Sequence, residues 1–231
     1  MTLHKQILTT ILVLVASILF FGLSGLDISI QDFLFDTQTH TWLLGRHTQP
    51  YRFIFYDGIK ILLILFALLL LLSLLFLRKH ATIQKYKQGI IIVVLSAIIV
   101  PMTASTLKKY TNMPCPRHTQ HYGGIYPETK VWEYYPESFK QLSTIQCWPA
   151  GHASGGFALL SLFFLFKSRK NRRRSILFAL TVGWIMGGYK MLIGDHYFSH
   201  TWITMLLSWL LILLIAKGIK RLSQGDTSVP L

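Results

Sequence analysis

Acidic residues are scarce in this sequence, nine Asp and Glu against 23 Lys and Arg, and charged residues of both signs make up only 14% of the chain. Cysteine is limited to two residues, and no repeat, low-complexity linker or separate hydrophilic domain stands out. A composition that is 52% apolar could still belong to one globular domain, but the distribution of the apolar residues excludes that. Ile7 to Leu26 is twenty residues without a charge, and at about 1.5 Å per residue such a helix spans the roughly 30 Å hydrocarbon core of a bilayer.

Five further uncharged runs follow: Ile61–Leu77, Gly89–Leu107, Gly151–Phe166, Ser175–Tyr189 and Thr201–Ala216. The shorter ones are completed by snorkelling Lys and Arg, and the fifth continues past Lys190 to Ile193. The pattern predicts an all-α, polytopic membrane bundle of six helices, spans about 7–26, 61–77, 89–107, 151–166, 175–193 and 201–216, forming one domain over residues 1–231. The first run also has features of a signal peptide, with Lys5 before it and Gly22-Leu23-Ser24-Gly25 near its end. It lacks a clear Ala-x-Ala site, and its removal would leave an odd number of spans, so the expectation is an uncleaved anchor.

A formal charge of +14 would suggest nucleic acid in a soluble protein. Here topology accounts for it. With the N-terminus in the cytoplasm, 14 of the 23 basic residues fall inside, six of them between Lys167 and Arg174, with Asp226 the only acid there. The other eight acids fall outside. This positive-inside bias predicts cytoplasmic termini in a bacterial-type inner membrane, with no nucleic-acid partner. The Lys167–Arg174 run can also touch anionic lipid heads.

Two outside segments are long enough to hold chemistry. In Asp27–Lys60, the spacing of Ile30, Phe33 and Leu34 suggests a short helix on the membrane surface. Lys108–Ala150, rich in Tyr, Trp and Pro, is the only stretch resembling a hydrophilic cap over the outer face. Both cysteines, Cys115 and Cys147, lie in it. An oxidising compartment favours a disulfide between them, and two reduced thiols are the alternative.

Three polar clusters sit at the outer ends of spans. Lys108 and Lys109 lead into Met113-Pro114-Cys115-Pro116-Arg117, which alone reads as ordinary snorkelling. Trp148-Pro149-Ala150-Gly151-His152 opens the fourth span; a helix start presents free N–H groups and the positive dipole end to an anion, and a histidine there can give a proton. Its plain alternative is an interfacial His with Gly155 and Gly156 for helix packing. The third, Lys190 to His200, places Lys190, Asp195, His196 and His200 within eleven residues beside an apolar helix, where they are costly unless used. His196 and His200 could ligate a metal, yet no third ligand stands at a matching interval, and no metal or other cofactor is expected.

As a set, the clusters resemble the type 2 phosphatidic acid phosphatase family, whose signature is Lys-x6-Arg-Pro, Pro-Ser-Gly-His and Ser-Arg-x5-His-x3-Asp. Here Lys108 is followed after six residues by Cys115-Pro116, then comes Pro149-Ala150-Gly151-His152, then Lys190, His196 and His200 in the Arg, His and Asp positions. Residues 60 to 216 are covered. The departures are Cys115 for Arg, with Arg117 two residues on as a substitute, Ala150 for Ser, Lys190 for Arg and His200 for Asp. Lys190 keeps the charge but loses the bidentate fork.

The resemblance implies metal-free phosphoryl transfer on a lipid phosphate or diphosphate. His196 would be the nucleophile, forming a phosphohistidine, and His152 the acid; His200, or Asp195, would orient His196. Lys108, Lys190, Arg117 and the backbone near Ala150 and Gly151 would hold the phosphate oxygens, on the periplasmic side. A phosphotransferase moving phosphate between lipid carriers such as polyprenyl diphosphate and lipid A fits the same site, as does a non-catalytic protein that retains the fold. The residues give no oligomeric state.

Overall fold

The computed structural model describes residues 2–141 and 143–225; Asp226 lies outside the described residues. The chain is mostly helical. Among the described residues eight α-helices run in the order α1 Leu3–Leu23, α2 Leu26–Asp32, α3 Gly58–Phe76, α4 Ala81–Thr111, α5 Gly151–Ala158, α6 Leu162–Leu165, α7 Arg169–Leu192 and α8 Phe198–Gly225. A two-stranded antiparallel hairpin, β1 Phe35–Asp36 with β2 Thr41–Trp42, lies between α2 and α3.

Among the described residues, five segments are long and apolar enough to cross a membrane: α1, α3 with the π turn before it, α4, α7 and α8. This makes the chain a multi-pass membrane protein. Along α3 none of the residues is buried, and Leu62, Leu69 and Phe76 are largely exposed, a surface that a bilayer solvates and water does not. The apolar run from Gly151 is shorter. It breaks at a 3-10 turn, Leu159–Ser161, and ends at Leu165, so that α5 and α6 together cover residues 151–165.

The longer helices overrun the uncharged stretches that announce them. Helix α4 has 31 residues, about 46 Å at 1.5 Å per residue, and so is longer than the roughly 30 Å of hydrocarbon. Helix α7 begins at Arg169 inside the basic run, because Ser168 accepts the Asn171 N–H at 3.2 Å and caps it. The short helix expected around Ile30 is present as α2, but it stops at Asp32 with Phe33 as its cap, and Gln31, fully buried, donates to the Met191 carbonyl at 2.9 Å.

The core lies between α4, α5, α7 and α8, where Val93, Val100, Ala153, Phe157, Ala179 and Ile212 are buried together. Gly156 and Gly183 set the closest approach: a Cβ on Gly156 would come within 2.7 Å of the Gly183 Cα. Helices α5 and α7 can therefore touch backbone to backbone, as small residues permit in a membrane.

At its C-terminal end α4 stops at Asn112, which is left-handed with φ 47°. Its side chain then organises the loop that follows, exchanging two hydrogen bonds with Gln141 at 2.9 and 2.7 Å and accepting the Ile145 N–H at 3.0 Å. Tyr135 donates to the Asn112 carbonyl at 3.0 Å. Tyr126, Tyr135 and Phe139 pack together beneath. Cys115 and Cys147 are joined by a disulfide with Cα atoms 5.2 Å apart, which fastens the segment after α4 to the segment before α5.

Candidate active site

Three chain segments meet at one end of the bundle: the last turns of α4, the start of α5, and the α7–α8 junction. The junction, residues 193–197, turns on Gly194 at φ +70°, a conformation that glycine adopts without strain. The Trp42 indole from β2 packs where a Gly194 side chain would stand. Asp195 and His196 both turn back, their N–H groups donating to the Lys190 carbonyl at 2.8 and 3.2 Å.

That turn brings His196 against His200, with their Nδ1 atoms 3.4 Å apart. His196 is 2% exposed, and its Nε2 has no hydrogen-bond partner among the described residues. The His152 ring lies 5.7 Å from the His196 ring, and its Nδ1 is likewise buried without a partner. Burial chiefly, then the nearby His200, Lys108, His152 and Lys190, hold the His196 imidazole well below its ordinary pKa. A neutral ring with one nitrogen toward a neighbouring histidine and the other unengaged is what nucleophilic attack requires.

Lys108 and Gly151 are neighbours, since a Cβ on Gly151 would lie 3.6 Å from the lysine Nζ. The N–H groups of Gly151 and His152 have no acceptor among the described residues. Ala150 differs. Its N–H is taken by Thr204 Oγ1 at 2.8 Å and approaches the His200 carbonyl at 3.4 Å, so it is not offered to a bound anion. Thr204 in turn donates to that same carbonyl at 2.6 Å, bracing the start of α5 against the turn of α8 that bears His200.

Lys190 and Arg117 meet on Asp195. The lysine Nζ is 2.9 Å from Oδ2, Arg117 Nη1 contacts Oδ1, and Arg46 stands 4.0 Å away. Although burial pushes the Asp195 carboxyl up, Lys190, Arg117 and Arg46 outweigh it and hold the group below the usual carboxylate range. Its oxygens are thus committed to the cations, and the group facing His196 Nδ1 is His200. His118 lies beside this cluster and accepts from Arg117 Nε at 3.2 Å. The potential ligand atoms of His118, Cys115 and Cys147 fall within 4.8 Å of one another, but both sulfurs are tied in the disulfide.

Two residues of the site come from a segment that its polar motifs do not announce. The Tyr56 ring stacks edge-on against His152 at 5.0 Å and lies 4.7 Å from Lys190 Nζ. Lys60, one turn into the following helix, shares a cavity with Lys108 and His152. A single lysine in an otherwise uncharged helix was the available signal for Lys60; Tyr56 gave none. The cavity measures about 550 Å³ and runs from Tyr56, Lys60, Lys108 and His152 to an apolar stretch walled by Leu63, Phe66, Val94 and Leu159.

The arrangement is that of a multi-pass helical membrane protein with a cationic, histidine-bearing pocket at one end. The profile of the PAP2 superfamily matches residues 89–223, and the chain belongs to that superfamily. Membership brings phosphatase or phosphotransferase-type chemistry. No curated protein and no solved structure matches the chain.

Proposed function

We propose that this protein is a membrane lipid phosphatase working through a phosphohistidine at His196. One observation carries the reading: His196 holds its Nδ1 toward His200 while its Nε2, buried and unpartnered among the described residues, is left for attack. Nε2 attacks phosphorus in line, and the bond from phosphorus to the lipid oxygen breaks. His152 delivers its proton to the departing alkoxide. Water then attacks the phosphohistidine, its proton returns to His152, and inorganic phosphate leaves. Lys108, Lys190 and the N–H groups of Gly151 and His152 meet the charge on the equatorial oxygens, so the chemistry calls for no metal ion.

The lipid nature of the substrate is supported by the depth of the site. Residues 151–165 of α5 and α6 rise only about 22 Å at 1.5 Å per residue, less than the roughly 30 Å of hydrocarbon. If the basic run after Leu165 marks the cytoplasmic interface, His152 sits below the outer boundary of the hydrocarbon. A phosphate on a lipid reaches that depth with its chain in the apolar end of the cavity. In this reading α5 and α6 act as a sixth crossing, both termini are cytoplasmic, the protein lies in an inner membrane, and the loop of residues 112–150 covers a periplasmic site.

The test is a panel of lipid phosphates and diphosphates incubated with purified protein in detergent, with and without EDTA, followed by acid-free trapping of labelled enzyme. Release of phosphate with base-stable, acid-labile label on the native protein and none on His196→Ala is the expected result. Label passing between lipids without release would establish transfer to a lipid acceptor in place of hydrolysis. Turnover abolished by EDTA and restored by Zn²⁺ would overturn the assignment of the histidines.

A further inference from the structure

We propose that the end of the molecule opposite the catalytic histidines carries a second lipid site, which holds one anionic phospholipid with its phosphate at Arg174 and a chain in the adjoining groove. The proposal does not depend on the phosphatase reading. A second cavity of about 670 Å³ runs from there between α3, α6 and α7 and meets the catalytic cavity at Leu63, Phe66 and Leu159; its volume is within the size range of specific small-molecule sites. Asn171, Arg174, Ser175 and Phe178, at the i, i+3, i+4, i+7 spacing of one helix face, form its α7 wall. Leu62 and Phe66 form much of the facing wall. One end is therefore polar and cationic while the rest is apolar, the profile of a lipid lying lengthwise.

The basic residues around the mouth are not equivalent. Arg172 is engaged internally, its Nε donating to the Phe166 carbonyl at 2.7 Å and its guanidinium lying 5.1 Å from the Phe163 ring centroid. Lys167 Nζ lies 5.4 Å from the Tyr86 ring centroid. Arg174 lines the groove and has no hydrogen bond, ion pair or ring contact among the described residues. No acid stands in the first turn of α7, which opens with Arg169, Lys170 and Arg172. Cations there work against the positive end of the helix dipole, and a bound anion would offset both. The charge pattern thus asks for an anion, and the groove asks for an apolar chain on it. An anionic phospholipid supplies the two together.

Native mass spectrometry of the full chain in detergent, titrated with phosphatidylglycerol or phosphatidylcholine, tests this. Phosphatidylglycerol carries only a phosphodiester, so it is not a substrate for removal of a terminal phosphate. One phosphatidylglycerol should be retained in preference to phosphatidylcholine, and Arg174→Gln should weaken that preference about fivefold, the factor typical of one juxtamembrane cation. Arg173→Gln, outside the groove, should leave it unchanged. Leu62→Trp, on the exposed facing wall, should reduce retention of the lipid without touching a charge. The proposal is overturned if the two lipids are retained equally, or if Arg173→Gln costs as much as Arg174→Gln, which would mean diffuse surface attraction. Retention lost in His196→Ala but kept in Arg174→Gln would place the lipid in the catalytic cavity and also overturn it.

Discussion

Lys190 Nζ lies 2.9 Å from Asp195 Oδ2, so the cation standing in the position of a phosphate-binding arginine already has a carboxylate on it. Arg117 shares the same carboxylate. Under the proposed function, an entering phosphate would have to draw these cations from Asp195, and a departing one would find the carboxylate ready to replace it. Asp195 would in this way temper the affinity of the pocket for phosphate.

The first prediction follows from that competition. Asp195→Asn removes the counter-charge from two half-buried or buried cations, and breaking such a pair costs about 3 kcal/mol. The variant should melt earlier in detergent and regain most of the loss on adding phosphate or vanadate, and product phosphate should inhibit it several-fold more tightly than native protein. A melting temperature that phosphate leaves equally unmoved in variant and native protein would refute the role.

A second prediction separates the acid from the nucleophile. In His152→Ala the leaving group departs unprotonated, so turnover of a lipid phosphate should drop by about 10²-fold or more. Turnover of p-nitrophenyl phosphate, whose leaving group needs no proton, should fall much less. Equal losses on both substrates would show that His152 serves to position the phosphate and not to protonate.

The third concerns pH. The folded-state pKa of His196 is depressed below its ordinary 6.5, so the unfolded chain binds a proton that the folded one does not over the interval below 6.5. Its contribution to stability is present above that pH and is lost as the pH falls toward the folded value. The melting temperature should therefore decline on acidification below about 6.5, and His196→Gln should flatten the decline. Identical slopes in both proteins would contradict this.

Fourth, the disulfide closes a loop with a sequence separation of 32 residues, for which chain entropy gives about 3–4 kcal/mol. Cys147→Ser, or reduction, should lower thermal stability accordingly. It should weaken phosphate binding as well, because Arg117 and the start of α5 flank the two half-cystines. Melting curves with and without reductant, alongside phosphate inhibition, measure both effects.

Much of this architecture is legible along the chain, because hydrocarbon forces long uncharged runs into helices and leaves little choice of secondary structure. Lys108, His152, Lys190, His196 and His200 could be gathered from order and spacing at the span ends. What spacing cannot convey is which polar atom faces which. Asp195, one residue from His196, was a reasonable partner for it, yet the turn at Gly194 leaves the carboxylate on Lys190 and Arg117 and gives His200 the place beside the ring. Lys60 stood out only as a lone lysine in an uncharged helix, and that it and Tyr56 reach the site depends on how α3 packs against α5, a contact between apolar faces that spacing does not convey. The break at Leu159–Ser161 was equally silent, since Leu159, Leu160 and Ser161 are ordinary helix residues.

The Trp42 indole packed on Gly194 belongs to a part of the chain that the superfamily profile, beginning at residue 89, does not reach. Tyr56 and Lys60, which line the pocket, and Arg46, 4.0 Å from Asp195, come from the same unmatched part. The histidines and the residues that crowd them thus come from separate stretches of polypeptide, one inside the matched range and one before it. Exchange of residues 27–60 between relatives should retune substrate choice while the histidines keep their task, and a fragment trimmed to the matched residues should lose activity with every motif residue still in place.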